Sequence, residues 1–339
     1  MTDHPGNAKP LTGKDVEAAL KSLAGQTALV TGGAGFIGSH LVDALRGHDA
    51  KVRILDNLST GYEKNIAHHE SDADVQWIQG DASDAAAVAK AVDGVDVIFH
   101  QAAMASVPRS VREPALCHAW CTTSTVHLLE AAAKAGARRF VLASTSAAYG
   151  NSPFVSKRET DAVDPLSPYA AAKLSAEQYC RAMAESFDIE AVILRYFNVF
   201  GPRQDPQSEY SAVIPRFVSL ILAGERPVIY GDGQQSRDFV YVEDVARANL
   251  LAGSLPGLRR AGPFNVARGQ RTTLLELLDI LRGLLDRSIE PIHEAPRIGD
   301  VRDSLADVTC ARCELQFEPR VDMAEGLRRS IEYYREMVG

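Results

Sequence analysis

The stretch TALVTGGAGFIGSHL, residues 27–41, joins an apolar run to a helical pattern through a turn with three glycines. At Gly32, Gly35 and Gly38, the absence of a side chain permits a tight turn and lets a ligand approach the backbone. Free N–H groups at the start of a helix attract anions such as a pyrophosphate. The next apolar run, KVRILD, ends in a carboxylate at Asp56. A strand, a glycine turn, a helix and a carboxylate in this order predict a dinucleotide-binding fold.

Asp56 indicates which dinucleotide fits. A carboxylate at the end of the second strand accepts hydrogen bonds from the adenosine ribose and repels a 2′-phosphate. The loop 57–61 contains no arginine to accommodate that phosphate, so NAD is favoured over NADP. Asp81 follows the third apolar run, where the adenine edge is expected. The alternatives are a strand-end turn residue for Asp56 and a helix N-cap for Asp81.

Apolar runs and helical patterns alternate through the first half of the chain. The runs that predict strands are 27–33, 51–56, 75–81, 95–103, 138–146 and 191–198. Runs without polar alternation suit strands that are covered on both faces. The predicted fold class is therefore α/β, a Rossmann doubly wound parallel sheet with a smaller discontinuous C-terminal substrate domain.

The alternation weakens after Asn198 and returns briefly near residue 236, which suggests a division of the chain. Helices are expected at 13–23, 273–287 and 323–337. The predicted domains are an N-terminal helical extension (1–25), a cofactor-binding domain (26–198 plus 236–261) and a substrate-binding domain (199–235 plus 262–339).

The composition narrows the class of protein. The 339 residues are 46% hydrophobic and carry a net charge of −8, which argues against a nucleic-acid partner. No apolar stretch reaches the length of a membrane span, and the N-terminus lacks an apolar signal core. Five cysteines form no disulfide pattern, and the pair Cys310 and Cys313 has no second ligand pair at zinc spacing. We expect a cytoplasmic protein with no membrane contact and no metal site.

The stretch SPYAAAKLSAEQY begins with a helix-start signal and contains Tyr169 and Lys173. Spacing of four residues places both side chains on one helical face. A lysine ammonium near a phenol stabilises the phenolate, so the sequence predicts a lowered pKa for Tyr169. Such a phenolate suits removal of a proton from a substrate hydroxyl. Thr145, at the end of the fifth predicted strand, supplies a hydroxyl for the same site.

These motifs, from TGGAGFIG through YAAAK to RYFNVFGPRQDP and RIGDVRDSLAD, resemble the extended short-chain dehydrogenase/reductase family across residues 26–339. The similarity is greatest to its nucleotide-sugar 4-epimerases, which act on UDP-N-acetylglucosamine or UDP-glucose. The resemblance implies that Thr145, Tyr169 and Lys173 are catalytic and that the partner is a UDP-sugar. It also implies a homodimer and assigns 262–339 with 199–235 to nucleotide-sugar binding.

The family pattern gives the remaining site residues. Those expected to hold NAD are Gly32, Gly35, Phe36, Ile37, Gly38, Asp56, Asn57, Ser59, Thr60, Gly61, Asp81, Ala82, Gln101, Ala102, Ala103, Tyr169, Lys173 and Phe197. Those expected to hold the substrate are Ser106, Thr145, Asn198, Val213, Tyr230, Arg237, Arg297 and Ser304. Asn198, Arg237 and Arg297 are assigned to the diphosphate, which guanidinium and amide donors bind well.

Ser304 bears on which sugar fits. The epimerase family places a bulky tyrosine there when glucose and galactose alone are accepted, and a small residue when an N-acetyl group must also fit. Ser304 therefore predicts acceptance of both sugar types. The alternative is an indifferent small packing residue.

Ala147 bears on the reaction. Similar dehydratases carry an acid one or two residues after the catalytic threonine, and similar decarboxylases keep a glutamate there. This chain has Ser146 and Ala147, with no carboxylate for an elimination, so 4-epimerisation is favoured. A 4,6-dehydratase or another C4-oxidising enzyme of the family is the alternative.

Cys121 departs from the family pattern, which has an asparagine at that position beside the cofactor. The thiol donates a weaker hydrogen bond than an amide does. This departure supports the alternative reactions. A non-catalytic NAD-sensing protein on the same fold is a further alternative, but it predicts loss of Tyr169 or Lys173, and both are present.

Overall fold

The computed structural model describes residues 12–206, 212–258, 262–296 and 302–338. In these ranges the strands are β1 (Thr27–Thr31), β2 (Lys51–Asp56), β3 (Val75–Gln79), β4 (Val97–His100), β5 (Arg139–Thr145), β6 (Ser156–Lys157), β7 (Glu190–Tyr196), β8 (Asn198–Phe200), β9 (Val228–Tyr230), β10 (Ser236–Tyr241), β11 (Phe264–Val266), β12 (Arg271–Thr273), β13 (Ile292–Glu294) and β14 (Leu305–Ala306).

The α-helices in the same ranges are α1 (Gly13–Lys21), α2 (Phe36–Arg46), α3 (Ala85–Val92), α4 (Val107–Arg112), α5 (Pro114–His118), α6 (Ser124–Ala135), α7 (Pro168–Ser186), α8 (Val213–Leu222), α9 (Val242–Ser254), α10 (Leu274–Leu285), α11 (Thr309–Cys313) and α12 (Met323–Val338). A π-helical segment, Ala119–Thr123, joins α5 to α6, and a 3₁₀ turn, Ser146–Tyr149, follows β5. The helices predicted at 13–23, 273–287 and 323–337 correspond to α1, α10 and α12.

The central sheet has seven strands in the order β11-β7-β5-β4-β1-β2-β3. Every neighbouring pair is parallel, so the carboxyl ends of the strands meet at one edge. The strand order reverses beside β1, which pairs with both β2 and β4. In open parallel sheets, ligands bind at this switch point. The predicted doubly wound Rossmann fold is confirmed.

Alternate residues of the central strands pack into different cores. Val30, Val97 and Val141 face one apolar cluster, whereas Leu29 and Ile98 face another on the opposite side of the sheet. Helices cover both faces, and the inner strands β1, β4, β5 and β7 are therefore buried on both sides. This double burial explains why the strands appear in the sequence as continuous apolar runs.

A third core lies outside the central sheet. It packs α8, α10 and α12 around β9 and β10. The smaller sheets have the orders β12-β10-β8, β13-β9 and β14-β6. No helix in the described ranges combines the length and the apolar character that a membrane crossing needs.

Strand β11 lies in a different part of the fold from the one that the predicted domain boundaries give it. The predicted boundary assigns 262–339 to the substrate domain, but β11 pairs with β7 as an edge strand of the central sheet. With three residues, β11 is too short to produce a recognisable strand pattern. The division into two domains otherwise stays a prediction.

A buried ion pair ties α7 to the sheet behind the predicted catalytic residues. Two guanidinium nitrogens of Arg195 on β7 donate to the Glu177 carboxylate at 2.9 and 2.7 Å. Ser144 on β5 donates its hydroxyl to the same carboxylate. Glu177 and Arg195 are fully or almost fully buried. Removing one partner from such a pair leaves the other charge without compensation in the interior.

We expect Glu177→Gln to lower the free energy of unfolding by about 3–5 kcal/mol, because Arg195 keeps its charge. Urea unfolding followed by circular dichroism measures the loss. Glu130→Gln is the matched control, since Glu130 pairs with Lys134 on the exposed side of α6, and exposed pairs contribute little. Equal losses in the two variants would contradict the role of the buried pair.

Candidate functional site

The glycine turn brings the end of β1 very close to the start of α2. A Cβ atom at Gly38 would lie 2.1 Å from the Gly32 carbonyl oxygen, and one at Gly32 would lie 2.8 Å from the Ala102 nitrogen. Gly32 also has a φ of +68°, which favours glycine. Gly35 is the N-cap of α2 and has no side chain that could cap the helix. Phe36 and Ile37 lie in the first turn of α2. The free N–H groups of this turn therefore lie at the switch point of the sheet.

Asp56 ends β2 directly beside this turn. Its carboxylate accepts the Ala34 N–H at 2.9 Å and the Leu58 N–H at 2.8 Å. Burial raises the pKa of Asp56, and the two N–H donors oppose that shift. Asp56 therefore fixes the glycine turn against the loop that follows β2.

The loop 57–61 packs on the glycine turn. Ser59 donates its N–H and its hydroxyl to the Asn57 side chain, at 3.0 and 2.6 Å. A Cβ atom at Gly61 would lie 2.9 Å from the Ala34 carbonyl carbon. Thr60 lies between them at the surface. The predicted residues of this loop are thus close to Asp56 and to the start of α2.

Asp81 follows β3 and lies across from Asn57. It accepts the Asn57 amide at 2.8 Å and the Trp120 indole N–H at 3.0 Å. It also accepts the N–H and the hydroxyl of Ser83, both at 2.7 Å. Partial burial opposes ionisation, but these donors hold the pKa of Asp81 below its ordinary value. The N-cap of α3 is Asp84, so the alternative role of Asp81 as that cap is wrong.

The residues after β4 continue this edge of the sheet. Gln101 accepts from the Tyr196 hydroxyl at 3.1 Å and donates to Asn249 at 3.0 Å. Ala102 donates its N–H to the Thr31 hydroxyl at 3.2 Å. Ala103 packs in the cluster that includes Tyr169. Ala82 is buried in one of the cores that flank the sheet, at 7% exposure, and Phe197 is buried in a separate cluster with Tyr149, at 4% exposure.

Thr145 and Tyr169 meet at the carboxyl end of β5. Ser167 caps α7 by accepting the Ala170 N–H, and Pro168 follows at the first helical position. This helix start places the Tyr169 side chain close enough to Thr145 at the end of β5 for Thr145 to influence its pKa. The structure therefore brings the predicted hydroxyl pair together.

The predicted direction of the Tyr169 pKa is wrong. Burial raises that pKa, and nearby Cys121 raises it further, whereas the neighbouring Thr145 side chain opposes the shift. Desolvation destabilises the phenolate form of Tyr169 by more than the surrounding side chains stabilise it. Sequence spacing alone gave no measure of this burial.

Lys173 lies one helical turn beyond Tyr169 and is 2% exposed. Its Nζ has no hydrogen-bond partner in the part of the chain that the structure describes. Burial lowers the pKa of Lys173. An ammonium that is buried without an acceptor, together with a glycine turn that a Cβ would fill, fits the predicted dinucleotide.

A cavity of about 560 Å³ is lined by residues of β8, β9, β10 and α8, which contribute to the third core, and by Val107 and Pro108 at the start of α4. Four predicted substrate residues line it: Asn198, Val213, Tyr230 and Arg237. The Asn198 amide donates to the Asp238 carbonyl at 3.3 Å, and an Arg237 nitrogen donates to the Ser236 carbonyl at 2.8 Å. The lining also includes Gln235, which sequence reasoning missed.

The other predicted substrate residues have different positions. The Ser106 hydroxyl caps α4 by accepting the Arg109 N–H at 3.2 Å, and its neighbour Val107 lines the cavity instead. Ser304 is half-buried and donates its N–H to the Ser236 carbonyl at 3.2 Å, beside Arg237. Thr145 lies outside this cavity lining. Arg297 lies outside the described residues.

Sequence reasoning also missed Trp120 and Cys117. Trp120 reaches Asp81 from a helix 39 positions away, and no local pattern signals such a contact. Cys117 lies one turn before Cys121 on a helical stretch. That four-residue spacing was a visible signal that the two thiols share a face.

Residues 28–267 match the model of the NAD dependent epimerase/dehydratase family. The UDP-glucose 4-epimerase of Mycolicibacterium smegmatis is 38% identical over 309 residues, which cover 91% of this chain and 98% of that protein. The dTDP-glucose 4,6-dehydratase of Streptomyces niveus is 35% identical over 319 residues, which cover 91% and 92%.

Among solved structures, the chain is similar to the UDP-N-acetylglucosamine 4-epimerase from Methanobrevibacter ruminantium in complex with UDP-N-acetylmuramic acid. The TM-score is 0.88 at 41% identity, with 93% of this chain and 99% of that chain covered. The description of the matching family names NAD. The cofactor predicted from Asp56 is thereby confirmed.

We expect Gly38→Ala to deplete the purified protein of bound NAD, because the added methyl group collides with the Gly32 carbonyl. Overpacking of this kind costs about 1–3 kcal/mol. Chromatography of the cofactor released by denaturation measures the NAD content. Gly283→Ala in α10 is the control, since nothing lies within 4 Å of its Cβ position. A Gly38→Ala protein with the full NAD content would show that the turn is more tolerant than its geometry indicates.

Proposed function

The chain belongs to the NAD dependent epimerase/dehydratase family, and from that premise we propose that it epimerises a UDP-hexose at C4. The proposed substrates are UDP-N-acetylglucosamine and UDP-N-acetylgalactosamine, together with UDP-glucose and UDP-galactose. One observation carries the reaction type. Thr145 lies close enough to Tyr169 to lower its pKa, whereas the residues after Thr145 (Ser146, Ala147 and Ala148) have no carboxylate.

In the proposed reaction, Thr145 holds the C4 hydroxyl by a hydrogen bond and Tyr169 removes its proton. The Lys173 ammonium stabilises the phenolate form of Tyr169. When bound, NAD supplies the hydride acceptor and later the hydride donor at C4, as well as a positive charge beside Tyr169. Tyr169 returns the proton to the oxygen at C4 after the keto sugar has turned. No cofactor is consumed overall.

The glycine turn and the loop 57–61 are proposed to hold the NAD. The N–H groups at the start of α2 suit the pyrophosphate, and Asp56 suits the adenosine ribose. The remaining predicted NAD residues are proposed contacts along the same edge of the sheet. The buried Lys173 ammonium is proposed to donate to the nicotinamide ribose.

The cavity is proposed to hold the UDP group. Asn198 and Arg237 line it with an amide and a guanidinium, which suit diphosphate oxygens. Val213 and Tyr230 are proposed for the uracil, Arg297 for the diphosphate and Ser106 for the sugar. Holding the substrate by the UDP leaves the sugar free to turn about its diphosphate link.

Elimination distinguishes the dehydratase alternative from the proposal. A 4,6-dehydratase must remove a C5 proton and protonate the leaving C6 hydroxyl, which requires a positioned acid and base. Ala147 offers a methyl group where similar dehydratases carry an acid. The similarity to a dTDP-glucose 4,6-dehydratase keeps that reaction as the second candidate.

The homodimer and the cytoplasmic location also stay predictions.

Incubation of the purified holoenzyme with UDP-N-acetylglucosamine or UDP-glucose, followed by proton NMR of the product, tests the reaction. We expect inversion at C4 without net NADH formation. Tyr169→Phe should lower kcat by about 100- to 10,000-fold, since a general base contributes that much. A 4-keto-6-deoxy product would overturn the epimerase and support the dehydratase.

Ser304→Tyr tests the sugar range. The Ser304 N–H is bonded to the carbonyl of Ser236, the residue before Arg237, which lines the cavity. A tyrosine at position 304 should therefore exclude the N-acetyl group. We expect loss of turnover of UDP-N-acetylglucosamine and retention of turnover of UDP-glucose. Ser304→Ala, which stays small, should keep both activities. Equal loss of both rates in Ser304→Tyr would refute the steric selection.

A further inference from the structure

Two adjacent histidines and an aspartate meet near the carboxyl end of α2. The Nε2 atoms of His68 and His69 lie 2.7 and 2.8 Å from the same Asp43 oxygen, Oδ1. The ligand atoms of the three side chains all lie within 4.8 Å of one another. In the residues that the structure describes, no other group of three or more histidine, cysteine or acidic side chains has its ligand atoms this close. Two imidazole nitrogens and a carboxylate oxygen thus converge on one small volume.

The segment that carries both histidines is fixed against α2. Asn65 donates its side-chain amide to the Ala34 carbonyl at 2.9 Å, so the segment is bonded to the glycine turn. The next residue, Ile66, is buried in the core on which α2 packs. A 3₁₀ turn, Ala67–His69, then presents both imidazoles to Asp43. Backbone and core therefore position the three side chains, and no local spacing in the sequence signals the group.

The three ligand atoms suit a divalent metal such as zinc. In the tautomer with the ring proton on Nδ1, each histidine Nε2 has a free lone pair for a metal. Zinc takes imidazole and carboxylate ligands, with water completing the coordination where the protein provides three. At about 2.0–2.1 Å from each ligand, a tetrahedral zinc ion keeps the ligand atoms about 3.3 Å apart. The separations of 2.7 and 2.8 Å need to widen by about half an ångström, which small changes of side-chain torsion provide.

Arg203 influences which metal fits. Its Nη1 atom lies 2.8 Å from the second Asp43 oxygen, Oδ2. This ion pair keeps Oδ1 directed at the histidines, as the outer partners of metal ligands commonly do. The guanidinium charge also repels cations, so the carboxylate by itself is a poor ligand for a hard ion such as Mg²⁺. The affinity has to come from the two imidazoles, which favour zinc and its neighbours among the transition metals.

Two other polar side chains near the group have partners of their own. The Nε2 atom of His40, one turn earlier on α2, is hydrogen-bonded with the Pro202 carbonyl at 3.0 Å. The Asp72 carboxylate pairs with Arg46 at 2.7 Å. The His68 side chain is exposed, so water reaches the group and can supply the remaining ligand. Such a site has three ligands from the protein.

We propose that Asp43, His68 and His69 form a zinc site that joins α2 to the segment after β2. Metal binding replaces the hydrogen bonds within the group by coordinate bonds, which fasten that segment to the helix. The proposal departs from the expectation of no metal site, which rested on the cysteines. The three ligands are separate from all the residues proposed to hold NAD or the UDP-sugar. The zinc site is therefore independent of the proposed function.

Isothermal titration calorimetry of the untagged holoenzyme with Zn²⁺, after removal of metal by a chelator, tests the site. We expect one Zn²⁺ per chain. The double variant His68→Gln/His69→Gln should bind it more than about 100-fold more weakly, since even an outer partner of a ligand contributes about 10- to 100-fold. His48→Gln is the matched control, because that ring contacts the Ala44 carbonyl and should keep the parent affinity. All proteins carry Cys313→Ser, since an exposed thiol binds zinc by itself.

The unfolding temperature provides a second readout. Saturating Zn²⁺ should raise the midpoint of the parent and of His48→Gln by a few degrees, because the metal binds the folded state. It should leave the double variant unchanged, and Mg²⁺ should raise none of the midpoints. Equal zinc affinity in the double variant and the parent would overturn the site. Zinc binding that does not raise the parent midpoint would identify an adventitious ion and refute the proposed link between α2 and the segment. His68→Gln alone, at an exposed position, gives the same comparison if the double variant does not fold.

Discussion

The contact between the start of α2 and the end of β1 sets the geometry on which the site depends. The Cα of Gly38 lies so close to the Gly32 carbonyl that no side chain fits between them. This contact aims the first turn of α2 at the point where the strand order reverses. Asp56 then joins the same turn through the Ala34 N–H. Helix start, carboxylate and sheet edge are therefore one rigid unit, held mainly by backbone packing.

Burial is the second organising factor, and it acts on charge. α7 carries Tyr169, Lys173 and Glu177 at intervals of one turn, from the sheet edge into the interior. Glu177 is neutralised by Arg195, whereas the Lys173 Nζ has no hydrogen-bond partner in the described part of the chain. A single helix thus holds a proton acceptor, an ammonium and a carboxylate in positions where water does not screen them. Their charges influence each other strongly for that reason.

Much of the fold could be predicted because the inner strands of the central sheet are buried on both faces and the glycine turn before α2 has no room for side chains. The spacing of Tyr169 and Lys173 likewise follows from helical geometry. Other features depend on long-range packing. The contact between Trp120 and Asp81 and the burial that raises the Tyr169 pKa have no local pattern. The three-residue β11 was missed because its length carries no periodicity.

Strand β11 also affects how the protein is made. Six strands of the central sheet are complete once the chain has reached Tyr196, but the seventh begins at Phe264. On the ribosome, the free edge of β7 is therefore exposed while some seventy further residues are synthesised, and unpaired edges favour association with other chains. The Asn265 side chain on β11 accepts a hydrogen bond from the hydroxyl of buried Tyr149 at 2.7 Å. The turn after Thr145 thus obtains its last support late in translation.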